Sequence, residues 1–290
     1  MVGSYVVRWS GLIAAFAVAA CGAEQLPSSP SELAEPDTQT NAKGTAASTD
    51  ELFNSSPQVA IVNGEQAATI DISLPKDLDT LHPDLGDEIR SRANRGTEAF
   101  IATAEADKAE AAEKGYDFRP HSLDVKWIEV GPREGRLAAY LGTYATYTGG
   151  AHPNVLFDVL NWDRVDNVLV TFEDLFDDPQ AARAAMTLAL KDGLLEQKRI
   201  RLEGTGISEN EMMTAWVGPA FEGNESVFQG FTFARSSDPA RSGGMIYHFA
   251  PYEVGAYAEG VYEVGVSYEA FESELKPAYT DAFGGEPILP

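Results

Sequence analysis

Residues 137–162 read LAAYLGTYATYTGGAHPNVLFDVLNW. Two runs rich in apolar, Thr and Tyr residues flank a connection that holds Gly149-Gly150 and Pro153. β-branched and aromatic residues bounded by turn formers predict strands, here Leu137 to Thr148 and Val155 to Trp162. With side chains alternating across a strand, Tyr140 and Tyr144 share one face and Tyr147 takes the other. Upstream, Leu123 to Trp127 alternates as a third strand, and Pro132-Arg133-Glu134-Gly135 turns it back, so the centre of the chain is a meander. Val59–Val62 and Thr69–Leu74 add two earlier strands, the second ended by Pro75.

Helical signals flank these strands in blocks. Leu85, Ile89, Ala93, Gly96, Phe100 and Thr103 recur at spacings of four and three, predicting one amphipathic helix to Lys114 with Gly115 as its stop. Asp178-Pro179 reads as an N-cap with proline in the first turn, opening a helix through Ala182, Ala185, Met186, Ala189 and Leu190. Ser208-Glu209-Asn210-Glu211 is a capping box for a shorter helix through Met212 and Trp216. Strands resume at Val227–Phe233, Met245–Phe249 and Gly260–Val266, and Ser267 caps a last helix that Pro277 ends. Strands and helices that do not alternate one for one argue for an α+β fold, with helices packed on antiparallel sheets, and against a doubly wound sheet.

The chain has 290 residues, a formal net charge of −24 and one cysteine. Such acidity excludes capture of nucleic acid through a basic face and leaves cationic partners open. One cysteine allows no intramolecular disulfide and no cysteine-based zinc site. At the N-terminus, Arg8 precedes an apolar run from Gly11 to Ala20 that is too short to span a bilayer but has the size of a secretory signal core. It closes on Val18-Ala19-Ala20-Cys21, which resembles the lipobox of bacterial lipoproteins. By that resemblance residues 1–20 are a signal peptide and Cys21 carries the lipid, since stable anchoring needs more than one acyl chain. Gly22 after the cysteine resembles the default for outer-membrane sorting, facing the periplasm, in a cell with two membranes. Residues 21–57, poor in large apolar side chains, read as a flexible acidic tether with a reach of roughly 30–35 Å.

Motifs of catalysis are mostly missing: no G-x-S-x-G elbow, no Walker A loop, no dinucleotide fingerprint and no H-E-x-x-H occur. Asp158, Asn161, Asp163 and Asp166 gather polar groups around Trp162 without the central glycine and closing glutamate of a calcium loop, and read as a solvated turn. His82, His121, His152 and His248 form no close pair that would pre-organise a metal site, and no cofactor is expected. The remaining candidate is the Gly-Gly connection. It is either a tight turn bonded to itself or a rigid loop that displays Tyr147, Gly149, Gly150, His152 and Asn154 to a partner.

The run Tyr144-x-x-Tyr147-Thr148-Gly149-Gly150-Ala151-His152-Pro153-Asn154 is followed by Phe172-Glu173-Asp174-Leu175-Phe176 and by Phe249-Ala250-Pro251-Tyr252-Glu253-Val254-Gly255-Ala256-Tyr257-Ala258-Glu259-Gly260. Together they resemble the RsiV-like family of paired extracytoplasmic domains, with Ala256 where proline is more usual. The first part also resembles the N-terminal domain of PdaC-type peptidoglycan deacetylases. The resemblance implies two closely associated α+β subdomains, residues 58–165 and 166–290, and binding of a lysozyme as in the family's best-understood member. A lipoprotein-like signal in place of a sigma-binding segment and spanning helix argues against anti-sigma function, and deacetylation is not carried over.

The expectation is therefore a lipid-anchored, non-catalytic binding protein of the cell envelope that recognises a lysozyme or another cationic protein. Eight acidic residues against Lys276 alone from Pro251 onward would steer such a partner. The alternatives are a module that binds peptidoglycan glycan through its tyrosines and tryptophans, and an enzyme using His152 as a base beside Asp158.

Overall fold

The computed structural model describes residues 53–55, 58–62 and 65–290. The signal peptide, Cys21 and nearly all of the tether lie outside these residues. Among the described residues, no helix is long and apolar enough to cross a membrane. The described residues form one compact unit.

The first sheet holds β1 (Phe53–Ser55), β2 (Gln58–Val62), β3 (Glu65–Pro75), β4 (His121–Glu129), β5 (Leu137–Tyr147), β6 (Asn154–Asp163) and β7 (Val168–Leu169). Its order is β1-β3-β4-β5-β6-β7, with β2 also paired to β3. β1 falls inside the stretch read as tether, where it pairs antiparallel with Ser73–Pro75. The expected meander is present from β4 to β6, and β7, which was not expected, extends it by one antiparallel strand. β3 and β4, however, run parallel, because a helical crossover carries the chain from one to the other.

That crossover is two helices, α1 (Pro83–Ala93) and α2 (Thr97–Lys114), and not the single helix the periodicity predicts. The apolar spacing continues through Gly96, but this residue adopts a φ of 79° and serves as the N-cap of α2, so the helix stops and restarts there. Leu85, Ile89 and Ala93 of α1 bury against Leu123, Val125 and Trp127 of β4, Tyr140 of β5 and Leu160 of β6.

In the second half, α3 (Phe172–Leu175) precedes α4 (Pro179–Arg201), which the Asp178 carboxylate caps by accepting from the amides of Gln180 and Ala181. The Ser208 capping box opens α5 (Glu209–Met212), which passes through a π-helical turn (Met213–Val217) into α6 (Gly218–Phe221). A second, antiparallel sheet has the order β10-β9-β8, from β8 (Phe231–Ala234), β9 (Gly244–Phe249) and β10 (Tyr262–Ser267). Val227 to Gln229, expected as the start of a strand, belong instead to a short 3-10 helix, Glu225–Gln229. Pro277, expected to end the last helix, instead begins α7 (Pro277–Thr280), since a proline without an amide proton costs nothing in a first turn.

α4 lies on the second sheet and buries Ala182, Met186, Leu190 and Leu194 at a constant spacing of four. The rear of β5, through Leu137 and Ala139, joins this same core with Phe231 and Phe233 of β8. Asn161 ties the layers further by donating from Nδ2 to the Phe231 carbonyl at 2.9 Å. Of the polar cluster around Trp162, only the Asp166 end is a solvated turn, since Asn161 and Asp163 are buried. Asp163 is fully buried, pairs with Arg136 at 2.6 Å, and accepts from the amides of Val165 and Asp166. Burial alone would raise the Asp163 carboxyl, but these hydrogen bonds outweigh it and hold the group below its usual range.

Candidate functional site

The Gly-Gly connection is short because β5 and β6 pair up to Thr146 and Asn154. Gly149 supplies the left-handed residue, with a φ of 83°, while Gly150 sits outside the left-handed region with open space around it. The strained position is therefore Gly149 alone. Gly149→Val is expected to lower stability by about 1–3 kcal/mol and Gly150→Val by less than about 0.5 kcal/mol, read from urea unfolding. Equal costs at the two positions would contradict this backbone geometry.

The five residues expected to display themselves together are divided by the fold. Tyr147 is half-buried and its hydroxyl accepts from Arg119 Nη1 at 3.3 Å, and a Cβ on Gly149 would also lie beside Arg119. Asn154 is exposed at the first position of β6. His152 turns instead toward the second half of the chain. Its ring stacks on Tyr257 with centroids 3.5 Å apart and planes at 18°, and the Tyr257 hydroxyl donates to the Pro153 carbonyl at 2.7 Å. The Tyr252 ring lies 5.8 Å from that of Tyr257. Tyr252 is 56% exposed and adopts a φ of 75°, uncommon for an aromatic residue. Its amide donates to the Gly255 carbonyl at 3.1 Å, which closes the strained turn.

Tyr252 and Tyr257 are the site residues that sequence reading missed, although both stand in the Phe249–Gly260 segment that carried the resemblance. Nothing in the local sequence says that this loop meets Pro153 across about a hundred residues.

A buried ionic cluster fixes the second loop. Lys198 continues the α4 stripe one more step of four, but as a fully buried ammonium. It donates to Glu259 Oε2 at 2.7 Å, where the Tyr262 hydroxyl also donates at 2.6 Å, and the Ala256 amide donates to Oε1 at 2.6 Å. Burial would raise the Glu259 carboxyl, yet the bonds from Lys198, Tyr262 and Ala256 prevail and keep it below its ordinary range. Gly255 must be glycine, because a Cβ there would sit 2.7 Å from both Lys198 Nζ and Glu259 Oε1. Trp216, 36% exposed, shares this ammonium, whose Nζ lies 5.6 Å from the indole centroid.

His152 and Asp158 are not arranged as a base and its partner. His152 Nδ1 lies 3.0 Å from the Pro153 carbonyl, and the Asp158 carboxylate accepts from Arg92 at 2.8 Å. Among the described residues, no group of three or more His, Cys, Asp or Glu side chains is placed to hold a metal ion. Of the acid after Pro251, Glu259 is turned inward onto Lys198, and Glu263 pairs with His248 Nδ1 at 3.0 Å while staying partly exposed; Glu253 is exposed. Glu269, Glu272, Asp281 and Glu286 remain exposed.

Residues 61–155, from β2 through the Gly-Gly loop into β6, match the family described as Deacetylase PdaC. No curated protein matches the chain. The fold is similar to that of a DUF3298 family member from Bacteroides fragilis NCTC 9343, with 16% identity and a TM-score of 0.50 over 78% of this chain and 93% of that one. A DUF3298 family protein from Pseudomonas aeruginosa PAO1 aligns at 16% identity over 81% of this chain and 96% of that one, with a TM-score of 0.49. At this identity the first likeness speaks for a shared fold.

Proposed function

We propose that the chain is a lipid-anchored, non-catalytic binding protein of the cell envelope, and that it captures a cationic envelope-active protein such as a lysozyme. The recognition surface is the patch where the Gly-Gly loop meets the Tyr252–Gly260 loop. One observation carries the reading: His152, Tyr257 and Tyr252 bring two distant motif segments into one cluster of rings at the surface. Exposed aromatic side chains on a pre-ordered backbone are the usual anchors of protein interfaces, since they bury much area at little conformational cost. The net charge of −24 supplies long-range attraction for a basic partner. The non-catalytic reading rests on a His152 ring engaged by Tyr257 and an Asp158 carboxylate engaged by Arg92.

The same exposed rings also suit the apolar faces of sugars, which is the second reading, a module for peptidoglycan glycan. Titration calorimetry separates the two. For a lysozyme, Tyr252→Ala with Tyr257→Ala should weaken binding by at least about a hundredfold, as expected for two central aromatic anchors. Parent affinity should also fall as ionic strength shortens the Debye length from about 10 to about 3 Å. Saturable binding of cell-wall glycan that ignores salt, with no lysozyme binding, selects the second reading.

A further inference from the structure

β6 is paired along only part of the side that faces away from β5. β7 covers Trp162 and Asp163, and the Val170 amide donates to the Asn161 carbonyl at 2.9 Å. The odd-numbered residues of β6 therefore turn their backbone groups outward, while Leu156, Asp158 and Leu160 turn theirs to β5, opposite Tyr144, Gly142 and Tyr140. Arg92 Nη1 donates to the outward carbonyl of Val159 at 3.0 Å. Among the described residues, none bonds the amide or carbonyl of Val155 or Phe157, or the amide of Val159.

Such an edge is a template for one more strand, and proteins usually blunt it with proline, a bulge or a covering side chain. Here Pro153 and Arg92 close the two ends and leave Val155 to Val159 open between them. On the face of β6 that carries Leu160 and Trp162 into the first core, Leu156 is 50% exposed. On the other face, the Phe157 ring lies 5.7 Å from that of His248. His248 also lines a cleft of about 200 Å³ with Asn224, Val227, Gly230 and Glu253. Among the described residues lining this cleft there is no lysine or arginine, Glu253 is exposed, and Glu263 on the far side of His248 is 45% exposed.

The open backbone groups set the shape of an occupant, and the acid beside them sets its charge. A second copy of this chain would oppose one net charge of −24 to another, so like charge disfavours it. We propose that β6 takes up an extended, basic peptide segment as an added antiparallel strand, with a lysine or arginine entering the cleft beside Glu253 and the opposite face resting on Leu156. Main-chain bonds then supply affinity, and alternate side chains supply selectivity. Residues opposite Val155, Phe157 and Val159 share their face and turn their amides toward them, so the amide of the inserted basic residue is itself one of the donors. The edge begins one residue past Pro153, and its test needs no lysozyme.

The full chain is titrated with acetyl-Thr-Val-Lys-Val-Thr-Val-amide and followed by amide hydrogen exchange and amide resonances. In the free chain, the amides of Val155 and Phe157 should exchange at least about a hundredfold faster than those of Leu156 and Asp158. The peptide should protect Val155, Phe157 and Val159 saturably. Glutamate in place of its lysine, or an N-methyl group on the lysine amide, should weaken binding at least about tenfold, whereas N-methylation of the valine after the lysine should not. Val155→Pro removes an edge amide and no bond to β5, so it should weaken binding to a similar degree with an unfolding temperature near that of the parent. Glu253→Gln should erase the preference for lysine over glutamate, while its amide oxygen keeps the bond from the Ala250 amide. Slow exchange of Val155 and Phe157 in the free chain, no saturable binding, equal damage from N-methylation at the valine and at the lysine, or self-association that protects the same amides without peptide would each overturn the proposal.

Discussion

Lys198→Met is expected to destabilise the protein by about 3–5 kcal/mol at neutral pH, because it leaves the Glu259 carboxylate buried without its cation. Tyr262 and the Ala256 amide still donate to Glu259, but two neutral donors do not replace an ammonium at 2.7 Å. Adding Glu259→Gln should return much of the loss, since a neutral pair of similar volume avoids the stranded charge. The pH dependence has a definite sign. In the parent the Glu259 carboxyl is depressed, so its contribution is present above the unfolded-state value and is lost as pH falls through the folded one. In Lys198→Met the buried carboxyl loses its cation and favours the neutral form, so the gap between parent and variant should narrow from pH 7 toward pH 4. Urea unfolding across that range measures both effects. A constant gap, or no rescue by the second substitution, would contradict the role given to the pair.

Trp127→Ala should cost about 3–5 kcal/mol, the range for removing a large aromatic from a packed core. Trp127 is completely buried and shares a core with Ile70, Ile89, Tyr140 and Trp162, so it joins the crossover helix to three strands of the first sheet. Phe, which keeps the ring and much of the volume, should recover most of the loss. Denaturant midpoints of the two variants decide the matter, and a loss below about 1 kcal/mol for Ala would mean that this core collapses around the gap.

Legibility of the fold from sequence followed how local each determinant is. The strands β4, β5 and β6 were readable because alternation and turn residues act within a few positions. The caps at Asp178 and Ser208 were readable for the same reason, since a cap bonds amides two or three residues away. Gly96 misled, because glycine is compatible with a helical face and with the left-handed turn that breaks it. Pro277 misled in the same way, as proline can end one helix or start another. The order of strands at β3 and β4 depended on a crossover that periodicity does not orient.

The site was legible only by halves. The Gly-Gly loop stood out by composition, yet the partner of His152 is Tyr257, on a loop whose position is set by packing between the two sheets. Asp163 looked like part of a polar turn and is buried, because Arg136 reaches it from 27 positions away. Lys198 could have been found: a lysine on the fourth continuation of a four-residue apolar stripe requires a buried partner. Which carboxylate answers it, Glu259 at a separation of 61 residues, only the tertiary structure could say.

Hydrogen exchange of the full chain with and without a saturating lysozyme, at low ionic strength, reads the recognition surface directly. Protection should appear in residues 148–154 and 251–258 together, and the pattern should vanish in Tyr252→Ala with Tyr257→Ala. Protection confined to other segments, or lysozyme binding that leaves both loops exchanging as in the free protein, would contradict a recognition surface built from the two loops.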